Sequence, residues 1–233
     1  MGHKQGRIGP VLSVLLFLFS SVSPALAAPA YGTKLPRQNE FFFGFQHHAV
    51  LERDLEGDNG EVKSGQQFLL ISYGITDWLS LDLKGGAGNI YQTPDGGSEI
   101  TYPTYLGGGY GFRVKFFDRD KTRAVFGFQH ISIHPFTASI NGNKHKSVLD
   151  DWQLSFLASH DIFHTTPYLG FKWSRMDYIH WVNTVRNRVK SDDDDIIGLV
   201  AGIDIPVHEK VWLNLEGQFI DVMALAASVN FKF

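Results

Sequence analysis

From Glu40 to Phe233 the chain repeats one pattern, stretches in which apolar and polar residues alternate, separated by polar punctuation. Alternation sends successive side chains to opposite faces of an extended strand, so each stretch is a ribbon with one apolar and one wet side. Leu79, Leu81 and Leu83 alternate with Ser80, Asp82 and Lys84, and Val211, Leu213 and Leu215 alternate with Trp212, Asn214 and Glu216. The last stretch sets Leu225, Ala227, Val229, Phe231 and Phe233 against Ala226, Ser228, Asn230 and Lys232. Ten strands are predicted, over 40–52, 65–76, 78–91, 99–116, 122–136, 149–162, 166–180, 195–206, 210–220 and 223–233. Segment 122–136 is irregular, because Phe126 and Phe128 share a phase with His130, Ser132 and His134. A bulge, or a strand rising beyond the apolar zone, is expected there.

The connections sort by length as well. Short turns are expected near Asp77, Asp118, Thr165 and His208, and longer polar links over 53–64, 92–98, 137–148 and 181–194. A soluble sandwich packs its apolar faces inward and gives its loops no reason to alternate in length. A closed barrel standing in a membrane turns its apolar faces outward and sorts its loops, with short turns and both termini at one end and long loops at the other. Composition agrees: 19 Phe, 5 Trp, 8 Tyr and 24 Gly suit pleated walls and tight turns. Aromatics near the short turns (Trp78, Phe116, Phe117, Phe163, Tyr168, Trp212) and near the long links (Tyr91, Tyr102, Phe136, Trp152, Tyr178, Trp181, Phe219) are expected to form two girdles. The expectation is an all-β, antiparallel transmembrane barrel of ten strands, or eight if the first or last hairpin is misread.

The one continuous apolar run, Val11 to Phe19 with Ser13 as its only polar member, follows Lys4 and Arg7 and precedes Pro24 and Ala25-Leu26-Ala27. That order of charge, apolar core and small residues is a cleavable export signal, so residues 1–27 are read as a signal peptide, 28–39 as a periplasmic lead and 40–233 as the barrel domain. The run is too short for a membrane-spanning helix, and a polytopic helical protein is excluded. Losing Lys4 and Arg7 makes the net charge of −3 more negative by two, which argues against nucleic acid as a partner. With no cysteine there is no disulfide framework or thiol chemistry.

The terminal strand, with Val229, Phe231 and Phe233 on its apolar face, resembles the C-terminal signal that the barrel-assembly machinery reads in bacterial outer-membrane proteins. Tyr73-Gly-Ile-Thr-Asp-Trp-Leu-Ser-Leu-Asp-Leu83 and Gly107-Gly-Gly-Tyr-Gly-Phe-Arg-Val-Lys115 are similar to strands of the small outer-membrane barrel superfamily. The resemblance covers nearly all of 40–233 and is generic to that superfamily. It implies a Gram-negative outer-membrane location, with the assembly machinery, outer-membrane lipid and lipopolysaccharide as partners.

If the apolar phase faces lipid, the other phase lines the lumen and carries Asp82, Lys84, Arg113, Lys115, Asp151, Lys172, Asp204 and Glu216. Isolated ions are costly to desolvate, so these groups either pair into a plug or line a hydrated pore. A barrel of eight to ten strands has an interior that side chains can fill, which favours the plug. Gly107, Gly109 and Gly111 weigh against it, since they leave room for water or a ligand. The predicted role is accordingly a structural protein or a narrow channel.

Chemistry-bearing motifs are sparse. His130 and Ser132 share a strand face and weakly resemble the His-x-Ser motif of outer-membrane lipid A deacylases, which implies an acyl hydrolase as the alternative function. Those enzymes use a downstream Glu to orient the histidine, whereas here Asp150 and Asp151 follow. Asp192, Asp193, Asp194 and Asp195 have the oxygen ligands that calcium takes, but an acidic run reads first as a solvated loop, and no metal or other cofactor is expected. Arg186, Arg188 and Lys190, just before it, are candidates for contact with lipopolysaccharide phosphates. His47 and His48 are adjacent in a strand, point to opposite faces and do not share one ion.

Overall fold

The computed structural model describes residues 32–192 and 196–233. The predicted export signal lies outside them, as do Asp193, Asp194 and Asp195. Twelve strands follow in chain order: β1 (Phe41–Asp54), β2 (Glu61–Gly74), β3 (Leu79–Thr93), β4 (Ile100–Arg119), β5 (Thr122–His134), β6 (Ala138–Ile140), β7 (Asn143–His160), β8 (Thr166–Val182), β9 (Val185–Lys190), β10 (Ile197–His208), β11 (Val211–Phe219) and β12 (Met223–Lys232). Ten of them, all but β6 and β9, form a closed antiparallel barrel. Each strand pairs with its neighbours around the wall, β7 joins β8, and β1 meets β12 in a register running from Phe42↔Lys232 to Glu52↔Met223. Each of these ten strands is thus paired on both sides, the arrangement that closes the wall, while β6 and β9 each pair on one side only.

The predicted short turns lie at the end where β1 begins and β12 finishes, and the three-residue β11–β12 link lies at the other end. One falls later than predicted: Asp118 is still in β4, and the turn is Asp120-Lys121, both with positive φ (49° and 69°). That is the type I′ geometry whose twist matches a two-residue hairpin. At the other end two of the predicted polar links are strand instead. Residues 137–148 hold β6 and the start of β7, paired Ala138↔His145 around Asn141-Gly142, and 181–194 hold β9, paired to β8 from Asp177↔Lys190 to Val182↔Val185. The pairings β5–β7 and β8–β10 thus continue upward as β6–β7 and β8–β9, and this side of the wall stands taller. The irregular segment is a strand of constant phase: Phe126, Phe128, His130, Ser132 and His134 all face outward, and the polarity change marks where β5 leaves the apolar band.

The amphipathicity is inverted relative to a soluble protein. Outward-facing Phe45, Leu83 and Leu169 are 64%, 57% and 62% exposed, while inward Lys172 and Asp204 are 0% and 1% exposed. Trp78, Phe116, Phe117 and Phe163 ring the outside near the short turns. The predicted girdles lose four members to the interior: Trp212 turns into the mouth of the barrel, and Tyr102, Tyr168 and Tyr178 are buried within it. Each sits in the inward phase of its strand, and each hydroxyl finds a polar partner there.

Candidate functional site

The interior is built in two storeys. Near the short-turn end it is polar and is entered by the lead before β1. Arg113 grips Asp82 with two parallel bonds, Nε to Oδ2 at 2.9 Å and Nη2 to Oδ1 at 2.8 Å. The fork geometry fixes the guanidinium, and its Nη1 donates to the Lys34 carbonyl at 2.6 Å. Thr33 bonds Ser159 at 2.6 Å, and the Lys34 ammonium sits 5.3 Å from the Trp212 ring, which packs edge-on against Phe42 at 4.8 Å. Trp212 is in phase with buried Asn214 and Glu216, so it closes the mouth from inside. Burial lowers the Lys34 pKa below its ordinary 10.5, with Asp204 pulling the other way. A void of about 20 Å³ beside Lys34, Gln46, Arg113 and Trp212 leaves room for about one water.

Above it, two chains of hydrogen bonds run along facing walls of the lumen. Lys84 donates to Gln129 at 3.0 Å, Gln129 to Gln153 at 2.7 Å and Gln153 to Asp151 at 2.5 Å. On the far wall Asn214 donates to Asp204 and to the Tyr168 hydroxyl, both at 2.9 Å, and Tyr168 donates to Glu216 at 2.8 Å. Lys115 is apart from both chains and pairs with Asp118 near the turn, at 2.5 Å. Lys172 and Glu216 do not meet. The partner of Lys172 is Asp221 at 2.6 Å, which also accepts from Ser174 at 2.5 Å and takes Arg53 at 3.3 Å. Arg53 spans on to Ser191 at 3.0 Å, tying β1, β8 and the β9–β10 link to the β11–β12 turn.

Arg53 and Asp221 were not among the predicted lumen residues, and the reason is local geometry. β1 changes register between Val50 and Glu52, a bulge that turns odd-numbered Arg53 inward although its even-numbered neighbours Gln46 and His48 carry the inward phase. Asp221 follows Ile220, whose φ of 82° swings the turn back over the lumen. A buried-charge count was the available signal: inward Lys172 needs a carboxylate, and Asp221 is the acid nearest its level.

The upper storey is apolar. Val62, Ile90, Ile131, Ile133, Leu149 and Met176 pack with Tyr102 and Tyr178, whose hydroxyls bond each other at 3.1 Å, and Leu55 from the β1–β2 link and Val189 from β9 cap the cluster. The room expected above Gly107 and Gly109 is taken: a Cβ at Gly107 would meet Ile133 Cδ1 at 2.7 Å, and one at Gly109 would meet Ile131 Cγ1 at 3.1 Å. Among the described residues the lumen is therefore closed twice, by paired ions below and by aliphatic side chains above.

His130 and Ser132 lie outside, at the upper margin of the apolar band. His130 stacks on Trp152 at 4.0 Å and stands 3.8 Å from Asp150. Ser132 Oγ is 2.8 Å from His134 Nε2, not from His130, and also contacts Asp150. Asp150 thus competes for the hydroxyl instead of orienting an imidazole against it, which is not the order of a charge-assisted nucleophile. His47 faces out to Gln67 and His48 faces in beside Phe68. Asp192 is near Asp54, its amide donating to the Asp54 carbonyl at 3.2 Å, and among the described residues no group of three or more His, Asp or Glu has the spacing of a metal site. At the other end Phe233 packs edge-on with Phe43 at 5.3 Å, and Val229 and Phe231 share its outward phase.

No known family profile matches the chain, and no curated protein matches it. Among solved structures it is similar to an outer membrane channel from Pseudomonas putida F1, 8% identical over 89% of this chain and 100% of that one, with a TM-score of 0.45. It is similar also to the translocator domain of the autotransporter NalP from Neisseria meningitidis, 9% identical over 85% and 90% of the two chains, with a TM-score of 0.44. A third is the outer membrane protein AlkL, determined by solid-state NMR in DMPC bilayers, 11% identical over 91% and 96%, with a TM-score of 0.40.

Proposed function

We propose that the chain is an integral outer-membrane β-barrel protein of a Gram-negative bacterium, exported by a cleaved signal peptide, whose role is structural in the closed conformation described here. The observation that carries this is the inside-out wall: a continuous apolar band exposed around a barrel that keeps its ions within. A soluble protein does not expose such a band, and a closed barrel satisfies every strand hydrogen bond without water. Recognition of Val229, Phe231 and Phe233 by the assembly machinery, and contact with lipopolysaccharide, belong to the same proposal.

A narrow channel is the second reading, supported by the charged lower lumen. It requires both the lead and the aliphatic storey to move. Planar-bilayer recording separates the two: the inserted wild-type protein is expected to be silent, and stable unitary steps would overturn the closed reading. For the acyl-hydrolase alternative, only the 2.8 Å approach of Ser132 to His134 speaks in favour. Expression of the protein is expected to leave lipid A mass unchanged, and loss of an acyl chain that depends on Ser132 would establish the enzyme.

A further inference from the structure

The taller side of the barrel carries a feature that a structural role does not use. Register sets Lys146, Trp181 and Arg186 abreast on β7, β8 and β9, with the Lys146 ammonium 4.9 Å and the Arg186 guanidinium 5.6 Å from the Trp181 ring. One row nearer the band stands Arg188, and below it Asp177 holds Arg188 at 2.5 Å and Arg175 at 3.3 Å. With Lys190 opposite Asp177 in register, five cations share an outward face that has Asp150 and Asp177 as its acids. The two arginines on Asp177 stay 39% and 48% exposed, so they are held in place with N–H groups still facing out.

Position gives the face its meaning. Directly beneath it on the same strands are Phe156, Phe171 and Trp152, which belong to the apolar band. The cations therefore begin where, on the membrane reading, acyl chains give way to head groups, the level that tryptophan rings and basic side chains occupy. By strand order β1 and β2 lie across the barrel and bear Glu52 and Glu61, the latter paired with Lys63 at 2.6 Å, while Glu56 reaches the edge of the ribbon, its Oε1 accepting from the Lys190 amide at 3.0 Å. We infer that the outward face of the β7–β8–β9 ribbon is a docking site for the phosphorylated head group of an anionic lipid of the outer leaflet, with Lys146, Arg186 and Arg188 as the phosphate donors and Trp181 as the platform between them. Arginine forks and a lysine ammonium match phosphate oxygens, and the inference rests on the membrane reading of the barrel.

The test is electron paramagnetic resonance of the full protein in phosphatidylcholine vesicles, comparing spin-labelled phosphatidic acid with spin-labelled phosphatidylcholine at the barrel surface. Insertion is checked first by the faster gel migration of the unheated protein, and its absence would overturn the membrane reading and this site together. In the inserted wild type, phosphatidic acid is expected to be preferred. K146Q/R186Q/R188Q is expected to lower that preference about fivefold, whereas Lys63→Gln, on the other side of the barrel, leaves it unchanged. Should the triple variant fail to insert, K146Q/R186Q carries the test, because neither residue makes an ion pair among the described residues. An inserted wild type without preference, or an inserted variant that keeps it, would overturn the site while leaving the barrel intact.

Discussion

Asp221 neutralises a side of the lumen that holds two cations, Lys172 and Arg53, and this makes it the costliest single charge to remove. Breaking a buried pair by deleting one partner costs about 3–5 kcal/mol, because the survivor is left uncompensated. Asp221→Asn is expected to lower the unfolding free energy by that amount in urea titrations, and Lys172→Glu to do at least as much. An unchanged midpoint would mean that water reaches these groups. Steric limits act at the same scale. A Cβ on Gly202 would lie 2.3 Å from the Tyr168 ring and hydroxyl, so Gly202→Ala must displace the tyrosine that bonds Glu216. Overpacking of this kind costs about 1–3 kcal/mol, to be read from the same titration. The alternation of residues around Asp82, Lys84 and Glu216 made their common face legible from sequence, because phase is a property of each strand alone. Arg53 and Asp221 escaped because a bulge and a left-handed residue reset the phase where strand gives way to turn.

At the scale of elements, the lead is the segment whose docking responds to pH. Burial lowers the pKa of Lys34 in the folded protein below its value of 10.5 in the unfolded chain, so between those values the unfolded state binds more protons and stability rises with pH. The stability of wild type relative to Lys34→Met is expected to climb as pH rises towards 10.5, and a flat difference would place the ammonium in open water. The raised hairpins illustrate a different limit of sequence reading. Residues 137–148 and 181–194 look like polar loops because above the apolar band the outward face is charged and the inward face is sparse, with Ser147 and Val189 among its few buried members, so the alternation is too broken to read. Asn141-Gly142 was the surviving signal, since that pair demands the positive φ values of 50° and 79° found there. The inward tyrosines were misjudged for a related reason: an aromatic ring with a hydroxyl suits a membrane boundary and a polar lumen equally well, and only the phase of its own strand tells which.

The whole molecule is a wall whose two sides answer to different solvents, and its ten-strand order was legible because every strand repeats that contrast. What alternation does not encode is how far the lumen is filled, since that depends on which side chains from opposite walls reach each other. Heat should therefore act as an all-or-none switch on the assembled protein: unheated samples are expected to migrate faster on gels than boiled ones, with no intermediate band, and identical mobility would count against the barrel. The pairing of β1 with β12 has a further consequence. A chain interrupted anywhere before Met223 has nothing to offer Phe42 to Glu52 and keeps two open edges, however well its other hairpins have formed. Closure thus works as proofreading for length: the last strand to arrive is the one that licenses the rest, and a truncated product stays exposed as a substrate for proteolysis.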